Sequence, residues 1–169
     1  LAQGPQLHFW RAPIDNDRSF LGEWQKAQLH AMQHRVESVR CLEASSQAVT
    51  VEVKVRIAPP ILAHGFKCTY TYTVYATGDV VINTEGTPYG QLPHLPRIGL
   101  QLALPKCLDR VTWYGRGPGE SYEDSKQANR VGKYSCTVDD LFVPYVRPQE
   151  HGNRTDVRWV SFTNNNGLG

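Results

Sequence analysis

Val49, Val51, Val53, Val55 and Ile57 alternate without a break with Thr50, Glu52, Lys54 and Arg56. A period of two separates an apolar from a charged face only when the chain is extended; a helix would scatter these side chains around its circumference. A protein containing this stretch must build a sheet with one face turned to a core. A second run obeys the same rule, with Cys68, Tyr70, Tyr72 and Val74 on one side and Thr69, Thr71 and Thr73 on the other. The turn Thr77-Gly78-Asp79 then leads into Val80-Val81-Ile82-Asn83, which predicts an antiparallel meander.

Further strands are expected at 34–43, 97–104, 110–114, 133–138 and 156–163. Turns rich in Gly, Pro, Asn and Asp, such as 58–60 and 115–119, separate them. Residues 21–31 read instead as a short helix, since Leu21, Trp24, Ala27 and Ala31 recur at helical spacing. The expected class is all-β, a large antiparallel β-sandwich. Near the end, Val157 to Thr163 alternates like a strand and Asn164-Asn165-Asn166-Gly167 makes a hairpin turn, after which two residues remain. A strand without its partner leaves an open edge, so the sandwich is expected to be truncated at its C-terminus.

Composition removes several classes of function. The net charge of +2 is spread along the chain, with no Lys/Arg run to engage nucleic acid or a membrane surface. No apolar stretch reaches the ~20 residues that span a bilayer. Hydrophobic residues make up 40% of the chain, enough for a packed core rather than a disordered segment. Cys41, Cys68, Cys107 and Cys136 form no C-x-x-C pair, which argues against a zinc knuckle or dithiol site and for free thiols.

Chemistry-bearing side chains gather in three places. Phe9-Trp10-Arg11-Ala12-Pro13-Ile14-Asp15-Asn16-Asp17 joins aromatics that want burial to carboxylates and an amide. Those polar groups can bond backbone amides, a cation or a sugar hydroxyl. Glu120, Glu123 and Asp124 follow a glycine-rich turn whose Pro118 and Glu120 make it a poor phosphate cradle. Structural turns and capping are the more frequent use of such acids. His30 and His34 have the spacing that aligns imidazoles on a helix, with no third ligand near. Residues 144–154 are rich in Tyr, Arg, Gln, Glu and Asn, which suit either a sugar site or a self-locking loop.

Together, F-W-R-A-P-x-D-N-D at 9–17, W-Y-G-R-G-P-x-E-x-Y-x-D at 113–124 and P-Y-V-R-P-Q-E-x-G-N at 144–153 resemble the small C-terminal domain of bacterial β-galactosidases of glycoside hydrolase family 2. The resemblance implies an extended sandwich, or supersandwich, of which residues 1–169 are the N-terminal part. It also implies that the two catalytic glutamates of a retaining mechanism lie on a TIM barrel not contained in this sequence. Neither Glu120 nor Glu150 is then catalytic, no catalytic residue lies in this chain, and the isolated chain is expected to be inactive.

By the same resemblance, the segment after Asp17, about 18–23, is a loop that folds toward the galactose site. Asp17, Arg18 and Ser19 are expected nearest the sugar, with Arg11, Asp15 and Asn16 bracing the loop's base. No metal is expected in this chain; Mg and Na belong, by resemblance, to the parent enzyme. Its expected partners are the remaining domains, a β-galactoside substrate and further copies in a homo-oligomer, in the cytoplasm, with neither nucleic acid nor membrane. Two other readings of the residues are an autonomous carbohydrate-binding module and a purely structural interaction domain.

Overall fold

A computed structural model describes residues 1–169. Its strands are β1 (Gln3–His8), β2 (Gln33–Ala44), β3 (Ala48–Ala58), β4 (Gly65–Tyr75), β5 (Val80–Tyr89), β6 (Gly99–Ala103), β7 (Arg110–Gly117), β8 (Arg130–Thr137) and β9 (Trp159–Thr163). A single α-helix, α1, covers Arg18–Lys26, and short 3-10 turns lie at Asp15–Asp17, Leu29–Ala31, Lys126–Ala128 and Asp139–Leu141. The sheets have the orders β1-β6, β2-β3-β4-β5 and β8-β7-β9. The class is all-β, consistent with a sandwich, and no helix is long and apolar enough to cross a membrane. The residues form two compact units, Leu7–Ala12 with Arg18–Leu100, and Leu1–Gln6 with Pro13–Asp17 and Gln101–Gly169.

In the first of these units the alternating runs become a four-stranded antiparallel meander. Val51, Val53, Val55 and Ile57 lie opposite Tyr72, Tyr70, Cys68 and Phe66. On the neighbouring strands Val36, Val39 and Cys41 face β3, while Val80 and Ile82 face β4. Directly paired residues share a face, so one side of the sheet is mainly apolar, with His34 and Thr84 among its edge positions. Register shifts between Val36 and Ser38 and between Cys41 and Glu43 let the irregular β2 keep its apolar residues on that side. The other side carries Thr50 bonded to Thr73 at 3.3 Å and Arg40 paired with Glu52 at 2.5 Å.

The apolar side is covered over only part of its length. Leu7, Phe9, Met32, Leu92 and Leu95 pack on the end built by Val55, Ile57, Phe66, Cys68 and Tyr70. At the other end Val49, Val74 and Val80 remain 38%, 44% and 51% exposed, and along the edge strand β2 Val36 and Val39 are 57% and 62% exposed. Beside the sheet, Trp24 of α1 is buried and donates its indole N–H to the carbonyl of His94 at 2.7 Å. The helix starts three residues earlier than its spacing predicts and ends at Lys26. Gln28 takes a left-handed φ of 50° and the last turn, Leu29–Ala31, is 3-10. His30 and His34 therefore lie on a 3-10 turn and a strand, not on one helix face.

In the other unit β7 is central, with β8 and β9 antiparallel on either side. Val111 and Trp113 are buried on it. The expected turn at 115–119 is a correction: Gly115 and Gly117 belong to β7. A Cβ on Gly115 would lie 2.8 Å from the Val157 Cα, and one on Gly117 would lie 2.6 Å from the Tyr134 ring. Those glycines permit close approach of neighbours inside a strand rather than a change of chain direction. The strand expected from 156 begins only at Trp159, because Asp156 adopts φ 53° and cannot extend the ladder. The terminal turn forms as expected: Asn164 Oδ1 accepts from the amides of Asn166 and Leu168, at 2.9 and 3.0 Å.

Candidate functional site

Phe9 to Ala12 anchor the first motif within the unit of the meander. The Phe9 ring lies flat on Phe66, with centroids 3.7 Å apart and planes 9° apart. Trp10 meets Trp24 edge-on at 6.0 Å. Arg11 donates from Nε to the Pro96 carbonyl at 3.3 Å, and its guanidinium lies 5.9 Å from the Trp24 ring centre. A cation over an indole and bonded to a carbonyl is held by geometry as well as charge.

The polar half of the motif folds into the 3-10 turn. Asp17 is buried; its carboxylate accepts the Ile14 amide at 2.9 Å, and its own amide donates to the Ile14 carbonyl at 3.0 Å. That reciprocal pair closes the turn. Asp15 donates its amide to the Pro148 carbonyl at 3.1 Å, and its carboxylate lies 3.5 Å from Arg147. The first motif thus touches the third, 133 positions later by residue number. Asn16 is exposed on the turn. Arg18 and Ser19 are exposed in the first turn of α1, so the segment expected as a loop over 18–23 is helical.

The second and third motifs are bound to each other more tightly. Glu120 accepts the Tyr145 hydroxyl on one carboxylate oxygen and the Gly152 amide, at 2.9 Å, on the other. Its bond to Glu120 is the main cause that raises the Tyr145 phenol above its usual range. Ser121 is fully buried: its amide donates to the Asn153 carbonyl at 2.8 Å, its carbonyl accepts Asn153 Nδ2 at 2.9 Å, and its hydroxyl meets Thr155 Oγ1 at 2.8 Å while accepting the Thr155 amide at 2.9 Å. Arg116 binds Asp156 at 2.5 Å and the carbonyls of Lys126 and Asn129 at 2.9 and 2.8 Å. Its guanidinium holds the Asp156 carboxyl below the ordinary range. Arg154 sits 5.2 Å from the centre of the Trp113 ring.

Sequence reasoning did not find Ser121, which carries no charge and sits at an unspecified position of its motif. Nor did it find the Glu120–Tyr145 bond. The one available signal was the shared wealth of planar polar groups in the two segments.

Two concavities accompany these motifs. The first unit has an apolar cleft of about 600 Å3 lined by Leu7, Phe9, Phe66, Leu92 and Leu100 among others. The other unit has a polar cavity of about 410 Å3 between residues 120–129 and 145–150. No three His, Cys, Asp or Glu side chains converge to hold a metal ion. All four cysteines are free thiols, Cys68 buried, Cys41 and Cys107 exposed.

The whole chain, residues 1–169, matches the family described as Beta galactosidase small chain. It is 37% identical to a β-galactosidase of Priestia megaterium, in an alignment that covers 100% of this chain and 16% of that protein. Against a β-galactosidase of Kluyveromyces lactis the identity is 35%, over 94% of this chain and 16% of the relative. With a β-galactosidase of Lactobacillus delbrueckii subsp. bulgaricus it is 37%, over 96% of this chain and again 16% of the relative. The chain therefore spans about a sixth of the length of these curated relatives.

Proposed function

This chain belongs to the β-galactosidase small-chain family, and from that premise we propose that it is the N-terminal part of an accessory domain in a retaining β-galactosidase, which hydrolyses terminal non-reducing β-D-galactose residues. The reading places the catalytic glutamates on a TIM barrel elsewhere in the parent polypeptide. This chain contributes packing surface and a segment near the sugar.

One observation carries the packing role. The apolar side of β2-β3-β4-β5 is covered at one end only: its Val49–Val74–Val80 row is exposed, and so are Val36 and Val39 on its β2 edge. Contiguous exposed apolar surface of this kind marks an interaction site. The occupant in this reading is another part of the parent polypeptide. Free thiols suit a cytoplasmic setting. Assembly as a homo-oligomer belongs to the same proposal, as do the Mg and Na sites of the parent outside these residues.

The segment at Asp17, Arg18 and Ser19 takes the sugar-proximal role in this reading, braced by Arg11, Asp15 and Asn16. Support comes from the Asp17 carboxylate closing the Ile14–Asp17 turn and, separately, from the exposure of Arg18 and Ser19. The test is hydrolysis of an aryl β-galactoside. Residues 1–169 alone should show none, the parent polypeptide should be active, and Arg18→Ala or Ser19→Ala in the parent should change kcat/KM. Turnover by residues 1–169 alone would reject the accessory role. Unaltered kcat and KM in both variants would reject the sugar-proximal segment. Val39→Asp in the parent should cut activity through lost assembly, visible as a dissociated or loosened product in size-exclusion chromatography.

A further inference from the structure

We propose that the cavity framed by residues 120–129 and 145–150 is a binding site for a neutral saccharide, sized for one or two pyranose rings. At about 410 Å3 it falls within the range of small-molecule sites, roughly 300–1,000 Å3. The ligand class follows from what lines it. Glu120, Asp124 and Glu150 are carboxylates, and no Lys or Arg lines the cavity, so its lining disfavours an anionic ligand. Ala128 is the only aliphatic side chain among the lining residues, which disfavours an apolar ligand.

A bare metal ion lacks its ligands, since no three His, Cys, Asp or Glu side chains converge. An organic cation could use acceptors alone. The lining mixes acceptors with the donors of Gln149 and Ser125, which a hydroxyl-rich ligand engages on both sides. Glu120 already holds the Tyr145 hydroxyl and the Gly152 amide, so it serves as a strut rather than a counter-charge.

The walls are ordered before any ligand arrives. Asn129 Nδ2 donates to the Glu120 carbonyl at 2.9 Å, and the Tyr122 amide donates to Ser125 Oγ at 3.1 Å. Immediately behind Glu120, Ser121 is locked to Asn153 and Thr155. Preorganised polar groups lose little freedom on binding, which is what lets a small hydroxylated ligand bind at all. Tyr122 and Tyr145 supply phenol rings, the groups against which pyranose C–H surfaces pack. The site thus combines aromatic area with amide and carboxylate partners on a fixed frame.

The inference stands on this lining and not on the accessory role proposed above. Its readout is local: the parent polypeptide with 3-fluorotyrosine at position 145, followed by fluorine NMR. Methyl β-D-galactoside and methyl α-D-glucoside are titrated in separate experiments, with sodium sulfate and guanidinium chloride as controls. A saturable shift with one of the sugars, at a midpoint on the order of millimolar, is expected. Gln149→Ala should weaken it about fivefold or more. Ala128→Trp should abolish it by filling the cavity; if that variant fails to fold, the exposed Gln149→Ala keeps the question decidable.

A shift with guanidinium or sulfate but neither sugar overturns the proposal. So does a linear drift with sugar that both variants retain, or a resonance that no sugar moves. Changes in kcat/KM for Arg18→Ala or Ser19→Ala bear on the accessory role alone, so the two ideas fail separately.

Discussion

The backbone amide of Leu7 donates to the hydroxyl of Tyr70 at 2.8 Å, across 63 positions of sequence. Both residues are buried, so water cannot replace the acceptor. Tyr70→Phe removes the hydroxyl and leaves the amide unsatisfied, a loss of about 1–3 kcal/mol. Hydrogen exchange at the Leu7 amide should speed up tenfold or more, while amides of β8 keep their protection. An unchanged Leu7 rate would show that the bond contributes nothing.

Gly117→Ala should destabilise the β7–β8 pair by about 1–3 kcal/mol, since the new methyl would overlap the Tyr134 ring. The cause is steric and so has a partner. Tyr134→Ala in the same chain should recover part of the loss, giving a non-additive double-mutant cycle in urea unfolding. Strict additivity would place the cost in the backbone instead.

Burial pushes the Cys68 thiol up to about 11. At pH 8 Ellman's reagent should therefore modify Cys41 and Cys107 first and reach Cys68 only after denaturation. The same shift has a sign for stability. The unfolded thiol ionises near its ordinary value of 9.0 while the folded one stays protonated. Stability should consequently fall as pH rises from about 9 towards 11, and Cys68→Ser should alter that alkaline slope in thermal unfolding.

On the acid side the carboxyls of Asp156 and Asp140, like that of Glu52 beside Arg40, lie below their ordinary range. Asp156 is held down by Arg116, and Asp140 by the Thr137 hydroxyl and amide. A depressed folded pKa contributes stability above the unfolded value and loses it as pH falls through the folded value. Melting curves collected from pH 6 downward should thus drop below about pH 4. Asp156→Asn and Asp140→Asn should each flatten that drop, and an unaltered acid limb in both would remove these groups from the account.

Legibility in the sequence tracked how local the determining physics was. β3, β4 and the start of β5 could be read because alternation records a face directly in residue order. β1 could not, since Gly4 and Pro5 look like breakers yet are tolerated in the small β1-β6 sheet. Gly115 and Gly117 misled for the related reason that a glycine looks the same whether it turns the chain or admits a neighbour. Arg18 and Ser19 were expected in a loop, but they open α1, whose Trp24 is buried and bonded to the His94 carbonyl. At the polar cavity, residues 144–154 already showed sugar-compatible chemistry. Their partner segment at 120–129 emerged only when Glu120 met Tyr145 and Gly152.

By itself the sequence determined an all-β chain and the apolar face of its meander, because side-chain direction in a strand depends only on position parity. Its kinship with the β-galactosidase small chain was legible in the three motifs at 9–17, 113–124 and 144–153. The tertiary structure alone decided that Asp15 meets Pro148, that Glu120 becomes a strut between two segments, and that Val39 stays bare while Ile57 is sealed. Such contacts join residues far apart in the chain. They depend on the path between them and on which surfaces can be buried together, and no local pattern encodes either.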